Sequence, residues 1–359
     1  MNKYWNKKIN QATPYVAGEQ PKPGQKVIKL NTNENPYPPS PKVAEALRSF
    51  DTAELRLYPN TNSDIVRDAV AAVYGLERKN VFVGNGSDEI IDMVGKAFIR
   101  QGDNCVGITP TFSVYKFTTL SNGAEFIGVG EGDAKTSLDE LAKAIDGKTR
   151  VAFICNPNNP TGTYYTESEI RDFLKKVPQN VLVFLDEAYS EFATAADYPN
   201  MFSALDEYPN LFINRTFSKI YGLAGLRIGY AIASTEVVRH LWKVKPPFDV
   251  NQAAQVAAIA ALGDKEHVEA TRKMNAEGID VLTREFTALG FKVLPTQANF
   301  ICVKIGERAR ELVSFLERNG MIVRGLTSFG MPEYIRVTIG KPEENEFLVM
   351  LVKKWKAEA

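Results

Sequence analysis

Polar side chains that could do chemistry follow several short apolar runs of the sequence. Asp186 comes directly after the run VLVFL, and Tyr189 follows three residues later. Asn159 follows VAFIC, Lys219 follows LFIN, and the run VFV leads into the turn Gly84–Glu89. In open α/β sheets, ligands bind at the carboxyl ends of the strands. The sequence therefore predicts a carboxylate, a phenol, an amide, a lysine and a Gly/Ser turn at one sheet edge.

This set of side chains suits pyridoxal phosphate. The cofactor needs a lysine amine for its Schiff base and an anionic partner that keeps its pyridine nitrogen protonated. Its phosphate is best bound by backbone N–H groups at a helix start and by Ser, Thr and Arg side chains. Each residue alone has a structural interpretation, since an acid after a strand is commonly a helix cap. Only the combination favours the cofactor.

Two nucleotide-binding patterns fail in detail. A dinucleotide fingerprint beginning at Gly84 would need a third glycine where Glu89 stands. The segment Gly147-Lys148-Thr149 matches the end of a P-loop, but Ala142 stands where the leading glycine is required. The helix predicted after the Gly84–Glu89 turn can still bind a phosphate through its unpaired N–H groups.

The composition disfavours several other classes of function. Lys+Arg and Asp+Glu both count 43, which gives no electrostatic reason to expect nucleic acid or an anionic membrane as partner. Two histidines supply a Ser-His-Asp or His-metal mechanism poorly, and we expect no metal centre. The three cysteines form no C-x-x-C and indicate free thiols in a reducing cytoplasm. No membrane span or signal peptide is expected.

The elements that must position these residues alternate between helix and strand. Strand-like apolar runs cover residues 81–83, 105–108, 126–129, 151–155, 181–185, 211–213 and 228–232, and helical spacing covers 41–49, 63–74, 88–99 and 167–176. This alternation predicts an α/β domain with a mostly parallel sheet. Continuous apolar strands indicate burial on both faces.

The pattern changes towards the C-terminus. Residues 251–290 carry the spacing of long helices, and FKVLP, NFICVKI, MIVRG and YIRVTIG then follow as strand-like segments. Helices are expected near 308–318 and 343–356. Residues 1–40, rich in Pro, Asn and Lys, predict an extended arm with turns. Because 359 residues favour two domains, we predict an arm of residues 1–40 that joins the small domain, a large cofactor-binding domain of residues 41–255, and a small α+β domain of residues 256–359.

The motifs resemble the fold-type I, aspartate-aminotransferase-like family of pyridoxal-phosphate-dependent enzymes. The resemblance runs from KLNTNENPYPPSP at residues 29–41 to YIRVTIGKPEENE at 334–346, and NPNNPTG, DEAY and RTFSKIYGLAGLRIGY are its most specific stretches. Within the family, the chain is most similar to members that act on L-histidinol phosphate. The resemblance implies a mostly parallel mixed sheet between helices in the large domain and a smaller α+β domain.

The resemblance also implies roles for individual residues. Lys219 would bind pyridoxal 5'-phosphate covalently and shuttle the substrate proton, and Asp186 would pair with the pyridinium nitrogen. Tyr189 and Asn159 would hydrogen-bond the phenolic oxygen of the cofactor. The phosphate would be held by Ser87, Asp88, Thr216, Ser218 and Arg227, with Phe112 stacked on the ring. Tyr58 would reach the phosphate of the neighbouring subunit, which implies a homodimer with shared active sites.

On the substrate side, Arg336 would bind the α-carboxylate, because a planar guanidinium suits a bidentate contact. Arg324 would contact the substrate's phosphate, and Tyr15, Asn33 and Asn299 would line the substrate side. The reaction implied is ping-pong transamination, a step of histidine biosynthesis, in which L-histidinol phosphate and 2-oxoglutarate give imidazole-acetol phosphate and L-glutamate.

Three alternatives remain open. An aromatic amino-acid aminotransferase and a decarboxylase of a phosphorylated amino acid would use the same scaffold. A non-catalytic regulator with an aminotransferase-like domain would carry an added DNA-binding segment, and the balanced charge gives no sign of one.

Overall fold

Two β-sheets organise the chain in the computed structural model, which describes residues 4, 7–11, 14, 18–21, 24, 26–133 and 135–358. The strands are β1 (Ile28–Leu30), β2 (Val81–Gly84), β3 (Asn104–Ile108), β4 (Glu125–Val129), β5 (Thr149–Cys155), β6 (Leu182–Asp186), β7 (Leu211–Thr216), β8 (Gly229–Ala233), β9 (Lys292–Val293), β10 (Phe300–Lys304), β11 (Met321–Gly325) and β12 (Tyr334–Thr338). The helices are α1 (Pro41–Arg48), α2 (Asp64–Tyr74), α3 (Ser87–Phe98), α4 (Val114–Ser121), α5 (Leu138–Lys143), α6 (Glu167–Leu174), α7 (Thr235–Leu241), α8 (Gln252–Leu262), α9 (Lys265–Ala288), α10 (Ala309–Arg318) and α11 (Pro342–Ala357).

The larger sheet has seven strands in the order β2-β8-β7-β6-β5-β3-β4. Strands β3 to β7 pair in parallel, and β8 is antiparallel to both β7 and β2. Successive side chains of a strand point to opposite faces of the sheet, and those of β6 are buried on both faces. Val183 and Leu185 join one hydrophobic cluster, and Leu182 and Phe184 join another. The predicted mostly parallel α/β architecture is confirmed.

Several predicted bounds shift in a way that matters for the site. The strand expected at 211–213 continues to Thr216, and β6 ends on Asp186 itself. Helix α3 begins at Ser87 rather than Asp88. The short helices α4, α5 and α7 carry too few turns for a periodic pattern to stand out in the sequence, and packing against neighbouring elements stabilises them instead.

The smaller sheet has the order β1-β11-β12-β10-β9. Its first strand comes from the arm, which the sequence predicted to be extended with turns: Ile28 pairs with Met321, and Leu30 pairs with Val323, in parallel. The edge of β11 supplies the hydrogen-bond partners that the arm cannot supply for itself. Helices α9, α10 and α11 cover this sheet through residues such as Leu282, Leu312, Leu316, Leu348 and Val352.

The division into domains stays a prediction. Helix α8 crosses the predicted boundary at residue 255, and its alanines Ala254, Ala257, Ala258 and Ala261 pack into the core of the larger sheet. None of the helices in the described part of the chain combines the length and the apolar character that a membrane crossing needs.

Candidate active site

A cavity of about 200 Å³ opens at the carboxyl ends of β5, β6 and β7. The strands position its polar residues because parallel strands end at the same edge of the sheet. The predicted site residues that line it are Asn33, Ser87, Asp88, Phe112, Asn159, Asp186, Tyr189, Thr216, Ser218, Lys219, Arg227, Arg324 and Arg336.

Lys219 lies two residues beyond Phe217, the residue that follows β7, with its amine inside the cavity. Its Nζ donates to the backbone oxygen of Thr32 at 3.3 Å and lies 5.4 Å from the centroid of the Tyr189 ring. Burial, with a smaller contribution from the nearby Arg336, lowers the pKa of Lys219 to about 8, against the opposing charge of Glu34. A lysine with a lowered pKa exposes an unprotonated amine near neutral pH, which is the form that attacks carbonyl groups.

Asp186 ends β6 with only 3% of its surface exposed. The Tyr115 hydroxyl donates to its Oδ2 at 2.6 Å, and the Asn214 amide donates to its Oδ1 at 3.0 Å. Burial raises the pKa of Asp186, and these two hydrogen bonds oppose that rise. A buried carboxylate beside an open cavity can pair with a cationic group, since buried charges are otherwise costly.

Tyr115 and Asn214 were not identified in the sequence, although weak signals existed. Asn214 lies directly opposite Asp186 in the β6–β7 register. Tyr115 lies three residues after Phe112 and packs against its ring edge at a centroid distance of 5.6 Å. Both residues sit among apolar neighbours, since Tyr115 stacks on Phe153 and Asn214 follows Ile213 in β7.

Tyr189 is held in place by Asn33. The Asn33 Nδ2 donates to the Tyr189 hydroxyl at 2.9 Å, and the Asn33 backbone N–H donates to Thr338 Oγ1 at 3.0 Å. Asn33 adopts a φ of 58°, a left-handed conformation that asparagine tolerates better than most residues. Burial raises the pKa of Tyr189 above its ordinary value, so the phenol stays protonated and can donate a hydrogen bond into the cavity.

Arg336 projects from β12 into the cavity and is only 5% exposed. Its Nη2 donates to the backbone oxygen of Asn31 at 2.7 Å, and its Nη1 donates to Asn159 Oδ1. Its guanidinium also lies 5.3 Å from the Phe300 ring centroid. A buried cation fixed in this way is suited to bind an anionic group that enters the cavity.

The opposite end of the cavity has the features of a phosphate site. Helix α3 begins there at Ser87, whose Oγ is buried without a hydrogen-bond partner among the described residues. Arg227 donates to Ser218 Oγ and to Asp88 Oδ2, each at 3.2 Å. A Cβ at Gly86 would lie 2.5 Å from Arg227 Nη2, so only glycine allows this close approach. A helix N-terminus, an unsatisfied hydroxyl and an arginine together fit a phosphate group.

Two predicted residues lie away from the cavity, and a third cannot be placed. Tyr58 is 79% exposed and stacks on Phe248 with a centroid distance of 4.4 Å. Asn299 lies behind the wall, where its Nδ2 donates to the backbone oxygen of Asn33 at 3.1 Å. Tyr15 lies outside the described residues.

The cavity wall also contains residues that the sequence did not single out: Gly18, Asn31, Thr32, Cys155, Ala188 and Phe329. Asn31 and Thr32 adjoin Asn33 in the NTNENP motif, so the motif itself was a usable signal. Phe329 lies near both arginines, with its ring centroid 5.9 Å from the Arg324 guanidinium and 6.0 Å from that of Arg336. Nothing in the sequence pattern around Phe329 indicated this position.

Known proteins share this architecture. The histidinol-phosphate aminotransferase of Moorella thermoacetica is 44% identical over 95% of this chain and 90% of its own length, and that of a Geobacillus strain is 42% identical over 90% and 88%. The solved structure of histidinol-phosphate aminotransferase from Sinorhizobium meliloti in complex with pyridoxal-5'-phosphate superposes with a TM-score of 0.87 at 26% identity, covering 93% of this chain and 92% of that one. The model of the family described as aminotransferase class I and II matches residues 25–350. The chain therefore belongs to the class I and II aminotransferase family.

Proposed function

We propose that this aminotransferase binds pyridoxal 5'-phosphate in the cavity and transfers the amino group of L-histidinol phosphate to 2-oxoglutarate. The observation that carries the proposal is the presence of three features in one cavity. Lys219, with its lowered pKa, lines the same cavity as the buried carboxylate of Asp186 and the phosphate-binding features at Ser87 and Arg227. These features match the amine, the anion and the phosphate donors that the cofactor requires.

When bound, the cofactor supplies an electron sink for the bonds around the substrate α-carbon. Asp186, oriented by Tyr115 and Asn214, would hold the proton on the pyridine nitrogen. Lys219 would bind the cofactor covalently and later carry the proton to and from the α-carbon, a task suited to an amine whose pKa lies near the working pH. Ser87, Asp88, Thr216, Ser218 and Arg227 would hold the phosphate.

The remaining cavity residues would orient the ring. Phe112 lines the cavity, where it can stack on the cofactor, and Tyr189 and Asn159 can reach its phenolic oxygen. Asn33 would act by donating a hydrogen bond to the Tyr189 hydroxyl. Asn299 would act one step further away, by donating to the backbone oxygen of Asn33. Tyr15 keeps its proposed place on the substrate side.

The substrate assignment is supported by two arginines on one wall. Arg324 and Arg336 both line the cavity, and both guanidinium groups lie near the Phe329 ring. Arg336 can bind the carboxylate of glutamate or 2-oxoglutarate, and Arg324 adds a second cation for a phosphate-bearing donor. Relatives named histidinol-phosphate aminotransferase at 44% and 42% identity support the same donor. An aromatic amino-acid donor would leave Arg324 without an anionic partner from the substrate.

The same proposal includes a homodimer in the cytoplasm with shared active sites. Tyr58 contributes nothing to the cavity of its own chain, and it is exposed beside Leu55 and Leu57, which are also exposed. An exposed group of apolar side chains suits a protein interface. Tyr58 would reach the phosphate of the neighbouring subunit from this surface.

A half-reaction tests the proposal. Cofactor-loaded protein would be mixed with L-histidinol phosphate or with L-phenylalanine, and the absorbance of the bound cofactor would be followed. Bleaching by histidinol phosphate that 2-oxoglutarate reverses supports the proposal. Bleaching by phenylalanine alone would move the assignment to the aromatic enzymes, release of carbon dioxide would move it to a decarboxylase, and no cofactor signal would overturn the cofactor assignment.

A further inference from the structure

Three charged side chains, one half-buried and two buried, lie together at the first turn of α3, the helix whose start lines the cavity. Glu89 belongs to the first turn of α3, and Lys245 and Asp249 belong to the segment between α7 and α8. The Lys245 and Asp249 side chains form an ion pair and are only 2% and 3% exposed. Neither residue lines the cavity. Burying ionisable groups costs stability unless they compensate one another, so the group calls for an explanation.

Glu89 connects this group to the turn that precedes α3. Its Oε2 accepts the backbone N–H of Asn85 at 2.6 Å. The same turn is closed by the Gly86 N–H, which donates to the Gly84 oxygen at 2.8 Å. Ser87 and Asp88, which follow this turn at the helix start, line the cavity, and the Ser87 hydroxyl is buried without a hydrogen-bond partner among the described residues. A change in Glu89 would therefore alter the direction of the phosphate donors.

One carboxylate oxygen of Asp249 can accept a hydrogen bond from Glu89 when Glu89 is protonated. Its Oδ1 accepts from Lys245 and from the Val250 N–H. Its Oδ2 is buried without a hydrogen-bond partner among the described residues, although the Glu89 carboxyl lies within hydrogen-bond reach of Asp249. Burial, followed by the contact with Asp249, raises the pKa of Glu89 to about 7, against the hydrogen bond from Asn85 and the charge of Lys245.

Protonation of Glu89 also sets the net charge of the group formed by Glu89, Asp249 and Lys245, close to the proposed phosphate site. With Glu89 protonated, the negative charge of Asp249 is balanced by Lys245. Without that proton, the group carries one net negative charge two residues beyond the start of α3. A phosphate carries about 1.5 to 2 negative charges at neutral pH, so an added negative charge near its binding site weakens its binding.

We propose that Glu89 is a positioning residue for the cofactor's phosphate, and that a hydrogen bond from the protonated Glu89 carboxyl to Asp249 keeps the start of α3 both correctly oriented and electrically neutral beside that phosphate. The inference rests on the proposed function, since it assumes that a phosphate occupies this end of the cavity. It assigns Glu89, Asp249 and Lys245 a common role that acts through Asn85 and Ser87.

Glu89→Gln is the matched test because glutamine imitates the protonated acid. Its amide oxygen can accept from Asn85, and its amide N–H can donate to Asp249. Full-length protein freed of cofactor would be titrated with pyridoxal 5'-phosphate between about pH 6 and about pH 8.5, a range that spans the pKa of Glu89. We expect equal dissociation constants at the acidic end, and wild-type binding about threefold to tenfold weaker than that of the variant at the alkaline end.

Two controls separate this effect from others. The phosphate and Lys219 also titrate, but they do so in both proteins, so the ratio of the two dissociation constants isolates Glu89. For unphosphorylated pyridoxal, the ratio of the wild-type to the variant dissociation constant should not change with pH. Asp92→Asn removes an exposed charge of the same helix, paired with Lys96, and should leave the pH dependence as in wild type.

A second measurement needs no cofactor. A group whose folded pKa is raised stabilises the fold below its unfolded pKa of 4.5, and this stability is lost as the pH rises to about 7. Thermal unfolding of wild type should show this loss, and Glu89→Gln should lack it. If Glu89→Gln fails to fold, Asp249→Asn serves instead, because loss of the neighbouring anion should move the transition in cofactor binding below pH 7.

The outcomes distinguish the two proposals. Parallel pH profiles for wild type and Glu89→Gln, with the cofactor bound by both, would overturn the role of Glu89 alone. A wild-type protein that binds no pyridoxal 5'-phosphate at any pH would overturn the proposed function and this inference with it.

Discussion

Tyr115 donates its hydroxyl to Oδ2 of Asp186 at 2.6 Å from a fully buried position. The Tyr115 ring is fixed by stacking on Phe153, with a centroid distance of 4.8 Å and an interplanar angle of 10°. Asn214 holds the other oxygen of the same carboxylate. Asp186 can therefore neither rotate nor withdraw when a cation approaches from the cavity, which is the preorganisation that electrostatic stabilisation requires.

Tyr115→Phe is expected to weaken cofactor binding while preserving the fold. The variant keeps the stacking on Phe153 but removes one hydrogen bond to a buried carboxylate, an interaction of about 1.5–3 kcal/mol. We expect pyridoxal 5'-phosphate to bind about tenfold more weakly, because the carboxylate is less well oriented and its pKa rises. Equilibrium titration of the cofactor measures the effect, and unchanged affinity would show that Asn214 orients Asp186 alone.

Lys219→Met is expected to stabilise the cofactor-free protein in a pH-dependent way. The folded pKa of Lys219 is lowered from 10.5 to about 8, so the stability that this lysine contributes is present above its unfolded pKa and is lost as the pH falls through about 8. We expect the variant to be more stable than wild type by about 1–3 kcal/mol at neutral pH, allowing for solvent screening.

Chemical denaturation across the alkaline range tests this expectation. The difference between Lys219→Met and wild type should shrink as the pH rises from about 8 towards 10.5. A difference that stays constant over this range would show that it comes from packing of the methionine rather than from the charge of the lysine.

Arg324→Gln is expected to separate the two substrates. Arg324 lies at the cavity wall beside Phe329, whereas Arg336 is buried and anchored to Asn31 and Asn159. Loss of Arg324 should raise the KM for L-histidinol phosphate by about 10- to 100-fold, the value of one charged hydrogen-bonded contact. The KM for 2-oxoglutarate should change little, and steady-state kinetics with both substrates measures this.

Arg336→Gln provides the contrast. Because Arg336 would bind the carboxylate of glutamate and 2-oxoglutarate, its loss should raise the KM for 2-oxoglutarate strongly. Equal effects of Arg324→Gln on both substrates would contradict a separate contact with the donor's phosphate and would favour a shared anion site formed by both arginines.

The sequence predicted most of the cavity because its residues follow a rule of the fold. Asp186, Asn159 and Lys219 each come just after or at the end of an apolar strand, and neighbouring parallel strands end at one edge. Residues that orient them were missed where the contact depends on distant packing. Tyr115 stands 71 positions from Asp186, and the Asn31 oxygen stands 305 positions from Arg336.

The arm and the contact between Glu89 and Asp249 could not be predicted from the sequence for the same reason. The segment 28–30 has too few residues for a strand pattern, and it becomes β1 because β11 offers an edge. The sequence around Glu89 indicates only the absence of a nucleotide motif, because its partner Asp249 lies in a Pro-containing segment with no periodic signal. Tertiary contacts of this kind determine local structure where the strand propensity and the spacing of apolar residues give no signal.

Mixed dimers test whether Tyr58 serves the neighbouring active site. A Tyr58→Ala subunit retains Lys219, and a Lys219→Ala subunit retains Tyr58, so a dimer of the two contains one intact site if Tyr58 acts across the interface. Each variant alone should be impaired: Lys219→Ala in chemistry, and Tyr58→Ala in retention of the cofactor's phosphate. Random exchange of subunits should restore about one quarter of the wild-type activity, because half of the dimers are mixed and each has one intact site of two. Activity of the mixture equal to the mean of the two separate variants would show that Tyr58 acts within its own chain or has no part in the site.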